Sequence, residues 1–211
     1  MGTKLGSWVE PRAKKIWHFL WEEESVWSWL ANILVAFVLI KFIVYPGLGL
    51  LLGTSYPIVA VVSGSMEHHT GFDDWWAQQG LLYESYGITP EDFKAYPFSN
   101  GFNKGDIMLL RGIKKDNIKK GMVIVFRSQA LAEPIIHRVI AVDNGNNSTD
   151  EKNNGITRAV TTKGDFNKMS HAFEHTITPD HIIGQAFIKI PYLGYIKIWF
   201  VELLKSIGIQ Q

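Results

Sequence analysis

The sequence predicts a mainly β protein: an antiparallel β domain with an N-terminal transmembrane helix, an inserted small helical cap and a C-terminal amphipathic helix. Three observations carry that expectation. One long apolar stretch, Val26 to Val62, stands apart from an otherwise mixed chain. After it come short runs rich in Val and Ile, bounded by Gly, Asn, Asp and Pro, which read as strands. No alternation of strand and helix patterns appears, which argues against a doubly wound sheet.

The 211 residues are 46% apolar and 19% charged, so a disordered chain is excluded. Lys plus Arg number 21 against 20 Asp plus Glu, a net charge of +1, so no basic face for nucleic acid is implied. Cysteine is absent, which removes disulfides, thiol catalysis and cysteine-based metal sites.

The N-terminal segment 1–25 carries Lys4, Arg12, Lys14 and Lys15. The transmembrane helix is expected at 26–46, because from Trp27 to Tyr45 the only charge is Lys41, one turn from the outer end and able to snorkel. As a helix this stretch spans about 28 Å, close to the ~30 Å hydrocarbon core. Trp27 and Trp29 mark one interface and Tyr45-Pro46 the other. After Lys41 no Lys or Arg occurs until Lys94, so the positive-inside rule puts the N-terminus in the cytoplasm and the remainder outside. A cleaved signal peptide would have a shorter and earlier apolar region. Gly47, Gly49 and Gly53 then weaken a continuing helix.

An extracytoplasmic β domain is expected over 47–195. Its strand runs are Ile58–Val62, Ile107–Leu110, Met122–Phe126, Ile135–Val142, Arg158–Thr162 and Ile182–Ile190. Residues 67–103 interrupt them with two helical signals, Asp73–Gly80 and Thr89–Lys94. In the second, Thr89 is the N-cap, Pro90 the first helical residue and Asp92 the box partner. Trp75 and Trp76 pack on the β domain or touch a membrane interface. Asp143–Gly155 reads as a polar hairpin tip with overlapping glycosylation sequons at Asn146 and Asn147. At the C-terminus, 196–211, Ile196, Trp199, Phe200, Leu203 and Leu204 recur at helical spacing with Lys197, Glu202 and Lys205 between them, as in a helix lying on a membrane or a short second span.

Three segments could carry chemistry. Ser63-Gly64-Ser65-Met66 places a serine after a strand end, although the same residues suit a polar turn. A serine nucleophile needs a base and an oxyanion hole. His137 sits inside the apolar run Ile135–Ile140, either as a satisfied core histidine or as a general base on a rigid strand. Lys163-Gly164-Asp165 closes a strand in a tight turn, where Asp165 is a turn residue or the acid that orients an imidazole.

The order of these segments resembles signal peptidase I, in the branch of archaea and the endoplasmic reticulum. The resemblance rests on Ser63–Met66, Gly105-Asp106, His137–Val139, Lys163–Asn167 and Ile190–Gly194, with the flanking Leu52–Pro57, and covers roughly residues 27–197. It implies a signal-peptidase-type fold and a membrane-anchored serine endopeptidase that cleaves signal peptides from exported preproteins. Ser65 is then the nucleophile, His137 the base and Asp165 the acidic partner. The Ser65 backbone N–H and the Ser63 hydroxyl form the oxyanion hole. The implied partners are preproteins, the lipid bilayer and the secretion translocon. The implied setting is the cell membrane, or alternatively the endoplasmic reticulum membrane, crossed once. No cofactor or metal is implied. Two departures stand out: His68-His69 and the long insert replace an early proline, and where many members have a second acid past the turn, His171 stands, with Glu174 the nearest acid.

A rival site is His171-Ala-Phe-Glu174-His175, the H-x-x-E-H pattern of a zinc hydrolase, in which the histidines would share a helix face and Glu174 would act as base. A third reading is a non-catalytic, membrane-tethered β interaction module.

Overall fold

The structure, a computed structural model, describes residues 6–143 and 159–206. The hairpin tip with its sequons, the start of the strand run at Arg158, and residues 1–5 and 207–211 lie outside the described residues. So do the side chains of Arg12, Lys197, Leu204 and Lys205. Two compact units are present, one ending at Leu48 and one beginning at Gly49.

Helix α1 (Gly6–Trp21) is joined by a short turn to helix α2 (Val26–Leu52), whose last four residues belong to the second unit. Ser25 caps α2 by accepting from the Ser28 N–H at 3.1 Å. The polar residues at the start of α2 serve the end of α1: the Ser28 hydroxyl donates to the Phe19 carbonyl and Asn32 Nδ2 to the Leu20 carbonyl. These carbonyls would otherwise lack a partner at a helix terminus. α2 is the one helix among the described residues long and apolar enough to cross a membrane.

α2 runs six residues past its expected end at Pro46. Proline inside a helix lacks an N–H and crowds the carbonyl four residues back. Here a π-helical turn, Ile40–Val44, widens the helix just before Pro46 and accommodates the ring. The helix stops at Gly53, whose φ of +64° favours glycine. The Thr54 N–H donates to the Gly49 carbonyl and the Gly53 N–H to that of Leu50, a Schellman cap.

The second unit is built on one antiparallel sheet of six strands: β1 (Ile58–Ala60), β2 (Ile107–Arg111), β3 (Val123–Ser128), β4 (Leu131–Asp143), β5 (Ala159–Lys163) and β6 (Ile182–Ile190). Their order across the sheet is β1-β2-β6-β3-β4-β5. The mainly β expectation is met. β3 is central and buried on both faces: Val123 and Val125 join one core with Met66, Phe102 and Met108, while Ile124 and Phe126 join another with Val139 and Val160. That alternation is the period of two of a strand. β4 starts four residues before its expected position, passing through Pro134. Proline is tolerated there because β5 pairs with β4 only from Arg138 onward, so the first half of β4 is an edge.

The insert forms helices α3 (Phe72–Ser85) and α4 (Pro90–Ala95). Thr89 and Asp92 make the expected capping box. Trp75, Tyr83, Ile88 and Phe93 form a third core against Ile140 of β4. Trp75 is 3% exposed, so of its two expected settings it takes the packed one. Helix α5 (Tyr195–Ser206) ends the described chain, with Ile196, Trp199, Phe200 and Leu203 exposed.

Candidate active site

Ser63, Gly64 and Ser65 form a turn just beyond β1, and His137 projects from β4 toward it. The Ser65 hydroxyl lies 2.9 Å from His137 Nε2. On the other side of the ring, Nδ1 lies 2.5 Å from Glu174 Oε1. A carboxylate at Nδ1 fixes the neutral tautomer with its proton there, leaving Nε2 free to accept from Ser65. Glu174 is itself held: Oε1 accepts from the Thr162 hydroxyl at 3.0 Å and Oε2 from the His171 N–H at 2.8 Å. Burial would raise its carboxyl pKa, but the His137 hydrogen bond and charge, with the His171 and Thr162 donors, hold it below the ordinary value.

The Ser63 hydroxyl is 3.2 Å from that of Ser65. Among the described residues, the Ser65 N–H donates to no acceptor. Both donors that the sequence suggested for an oxyanion are thus beside the nucleophile.

Asp165 sits apart from the serine–histidine pair. Among the described residues it forms no hydrogen bond or ion pair with His137 and anchors a separate buried network. Arg138 grips it with Nε at 2.9 Å and Nη2 at 2.7 Å. Tyr83 donates to it at 2.9 Å, and His68 Nε2 is 3.1 Å away. The reason is geometric: successive strand residues face opposite ways, so His137 and Arg138 turn to opposite sides of β4, and Asp165 follows Arg138. Burial opposes ionisation of Asp165, but the Arg138 charge overrides it and, with the His68 and Arg138 hydrogen bonds, sets its pKa well below the usual range. Arg138 also donates to the carbonyls of Pro97, Phe98 and Gly121, which ties the insert to the sheet.

The Asp165 turn is fastened to the serine loop. The Phe166 N–H donates to the Ser65 carbonyl at 2.8 Å, and the Asp165 N–H points at Met66 Sδ. Gly164 passes so close that a Cβ would lie 2.8 Å from His137 Nε2, from Asn167 Nδ2 and from the Ser65 carbonyl. Gly164→Ala is therefore expected to push the imidazole off the serine and lower kcat by about 100-fold, as a misplacement of ~1 Å does. Steady-state kinetics with a thermal melt of the same protein check this.

Lys163 is fully buried beside the network. Its Nζ donates to Gln79 Oε1 and the Gly164 carbonyl and sits 4.6 Å from the Tyr83 ring. Burial lowers its pKa to about 8, against attraction from Asp165 and Glu174. In the unfolded chain the same group titrates near 10.5. Between these values the unfolded state binds more protons, so stability rises with pH from about 8 to about 10.5 and the gain is lost as pH falls through 8. Melting the detergent-solubilised protein at pH 7.5 and 9.5 should reveal the rise. Lys163→Met should flatten it.

The zinc reading is not met. His171 and His175 flank a single 3-10 turn, Ala172–Glu174, and do not lie on one helix face. Among the described residues, no group of three His, Cys, Asp or Glu side chains is arranged to hold a metal. Glu174, offered by the sequence both as the nearest acid past the turn and as the base of a zinc site, is the carboxylate found at His137 Nδ1. The available signal was its position just past the Lys163–Asn167 turn. For the Arg138 hub, the signal was a charged residue in the apolar run beside His137.

A groove of about 300 Å³ leads to Ser65 and His137, bounded by Val59, Ala60 and Val62 on one side and by residues 131–136 on the other. Among the described residues β1 pairs only with β2, and this part of β4 only with β3, so two strand edges with open hydrogen-bonding groups border the groove.

No family model matches the chain. It is 28% identical over 160 residues to the human signal peptidase complex catalytic subunit SEC11C, covering 74% of this chain and 62% of that protein. With SEC11 of Komagataella phaffii the identity is 25% over 167 residues, 76% of each chain. With SEC11 of Scheffersomyces stipitis it is 24% over 167 residues, 76% of this chain and 75% of that one. The chain spans less than two thirds of the length of the mammalian relative. The resemblance read from the five motifs is borne out, and the chain is a sequence relative of signal peptidase catalytic subunits.

Proposed function

We propose that this protein is a membrane-anchored serine endopeptidase that removes N-terminal signal peptides from exported preproteins. The observation that carries the reading is the relay from Ser65 through His137 to Glu174, at 2.9 and 2.5 Å. Neutral His137 takes the serine proton as Ser65 attacks the scissile carbonyl, then gives it to the leaving amine. Glu174, in place of Asp165, keeps the ring in the productive tautomer and stabilises its cation. The Ser65 N–H and Ser63 hydroxyl hold the oxyanion, each worth about 3 kcal/mol of barrier. Water then releases the acyl-enzyme.

The open edges of β1 and β4 suit an extended peptide, whose main chain they would pair while the groove takes alternate side chains. Small residues at the first and third positions before the cut fit such a groove. α2 crosses the bilayer once, with the N-terminus in the cytoplasm and the β domain on the opposite side. That tether confines encounters with membrane-bound preproteins to two dimensions and raises effective concentration. Association with the secretion translocon would supply such substrates.

The full-length protein in detergent, incubated with a purified preprotein, is expected to release the mature N-terminus. EDTA should leave the rate unchanged. The rate should fall on acidification, because a protonated His137 cannot accept the serine proton. A rate abolished by EDTA and restored by zinc would shift the chemistry to His171, Glu174 and His175.

A further inference from the structure

The end of the apolar helix opens onto a cavity that the peptidase reading does not use. It measures about 430 Å³ and is lined by Gly53, Ser55, Tyr56, Arg127, His181 and Ile182, among others. A second depression of about 340 Å³ shares Arg127 and His181, so these two side chains form the rim between them. The Arg127 guanidinium lies 5.1 Å over the Tyr56 ring and donates from Nη2 to the Tyr56 hydroxyl. Among the described residues no carboxylate pairs with it. Asp180, in the same wall, is already neutralised by Lys115 at 2.7 Å. His181 uses Nδ1 on the Thr178 hydroxyl, leaving Nε2 for another group.

Gly53 follows directly on the last residue of α2, so the cavity begins where the apolar helix ends. The last carbonyls of that helix are already satisfied: those of Gly49, Leu50 and Leu52 accept from Thr54, Gly53 and Gly112. They therefore compete little with an anion there. Leu50 and Leu51 are 86% and 81% exposed in the final turn. An exposed apolar helix turn just before the cavity in sequence and an aromatic-stacked guanidinium with no carboxylate partner among the described residues match a molecule with acyl chains and a phosphate.

We propose that Arg127 and His181 bind the phosphodiester of an anionic glycerophospholipid, with Ser55 at the same cavity wall and the acyl chains running along Leu50 and Leu51. This rests on reading α2 as membrane-spanning. Arginine is the cation suited to it, because its planar fork matches phosphate oxygens and only one of its donors is engaged by Tyr56.

The test is native mass spectrometry of the full-length protein in detergent, titrated with dioleoyl phosphatidylglycerol or dioleoyl phosphatidylcholine. Phosphatidylglycerol should be retained about tenfold more tightly, because both lipids offer the phosphodiester but the choline ammonium of phosphatidylcholine offsets its charge beside Arg127. Arg127→Gln should erase that preference yet still cleave preprotein in detergent. Lys119→Gln, the loss of an exposed cation elsewhere, should keep it. Equal retention of the two lipids by the wild type overturns the proposal, as does an unchanged preference in Arg127→Gln. Full displacement of phosphatidylglycerol by millimolar inorganic phosphate would mean that the site takes free phosphate and not lipid. Alkaline carbonate extraction separates the failures: release of the chain from membranes sinks the spanning reading, whereas a retained chain without lipid preference sinks the lipid site alone.

Discussion

Ser65→Ala is expected to abolish preprotein cleavage, lowering kcat by about 10⁴- to 10⁶-fold, the scale seen when a serine nucleophile is removed. The fold should survive. Among the described residues the Ser65 hydroxyl hydrogen-bonds only to His137 and Ser63, whereas its carbonyl, which holds the Phe166 N–H, remains in the variant. Circular dichroism and the thermal midpoint should match the wild type. Turnover within tenfold of wild type would remove Ser65 from the chemistry, since alanine offers no atom to form an acyl-enzyme.

Glu174→Gln should lower kcat by about 10⁴-fold with little change in KM. Glutamine keeps the size and can still accept from the His171 N–H, while the Thr162 hydroxyl, which shares the Oε1 position with His137, must turn to accept instead. Its amide, however, presents a donor to His137 Nδ1. The ring then takes the tautomer with its proton on Nε2, aimed at Ser65, and no longer acts as a base. Asp165→Asn provides the contrast. It leaves the buried Arg138 guanidinium without its carboxylate, a loss of about 3–5 kcal/mol in stability. The two carboxylates should separate, one in kcat and the other in the unfolding midpoint. A selective loss of kcat in Asp165→Asn, with Glu174→Gln unaffected, would restore the acid assignment suggested by the sequence. The pKa directions add a check. Both carboxyls lie below their ordinary range, so their stabilising contributions are present above it and disappear only as pH falls through the lowered values.

The strands and the two catalytic candidates were legible because they are local signals. β6 is bounded by Pro179 and Pro191 and filled with apolar residues, and its limits coincide with the expected run. His137 is a polar ring in an apolar strand. Glu174 was harder to assign because its partner lies 37 residues away in sequence. The periodicity of a short motif suggested a helix face, but the backbone makes one 3-10 turn. Asp165 is hard to place from sequence for a related reason. Its motif marks the right neighbourhood, yet the neighbouring His137 and Arg138 face opposite ways, and only the folded sheet decides which one a distant carboxylate meets. The extension of α2 past Pro46 was hidden because glycine and proline propensities describe an isolated helix, whereas a π turn upstream relieves the ring.

The gap between β1 and the first half of β4 also bears on how copies of the protein coexist at high density. Two exposed sheet margins invite self-association, in which one molecule zips onto the next. Pro134 offers no N–H there, and Glu133 adds an exposed charge. Together they interrupt any long intermolecular ladder while leaving room for one short strand. Glu133 and Pro134 thus double as a guard against aggregation.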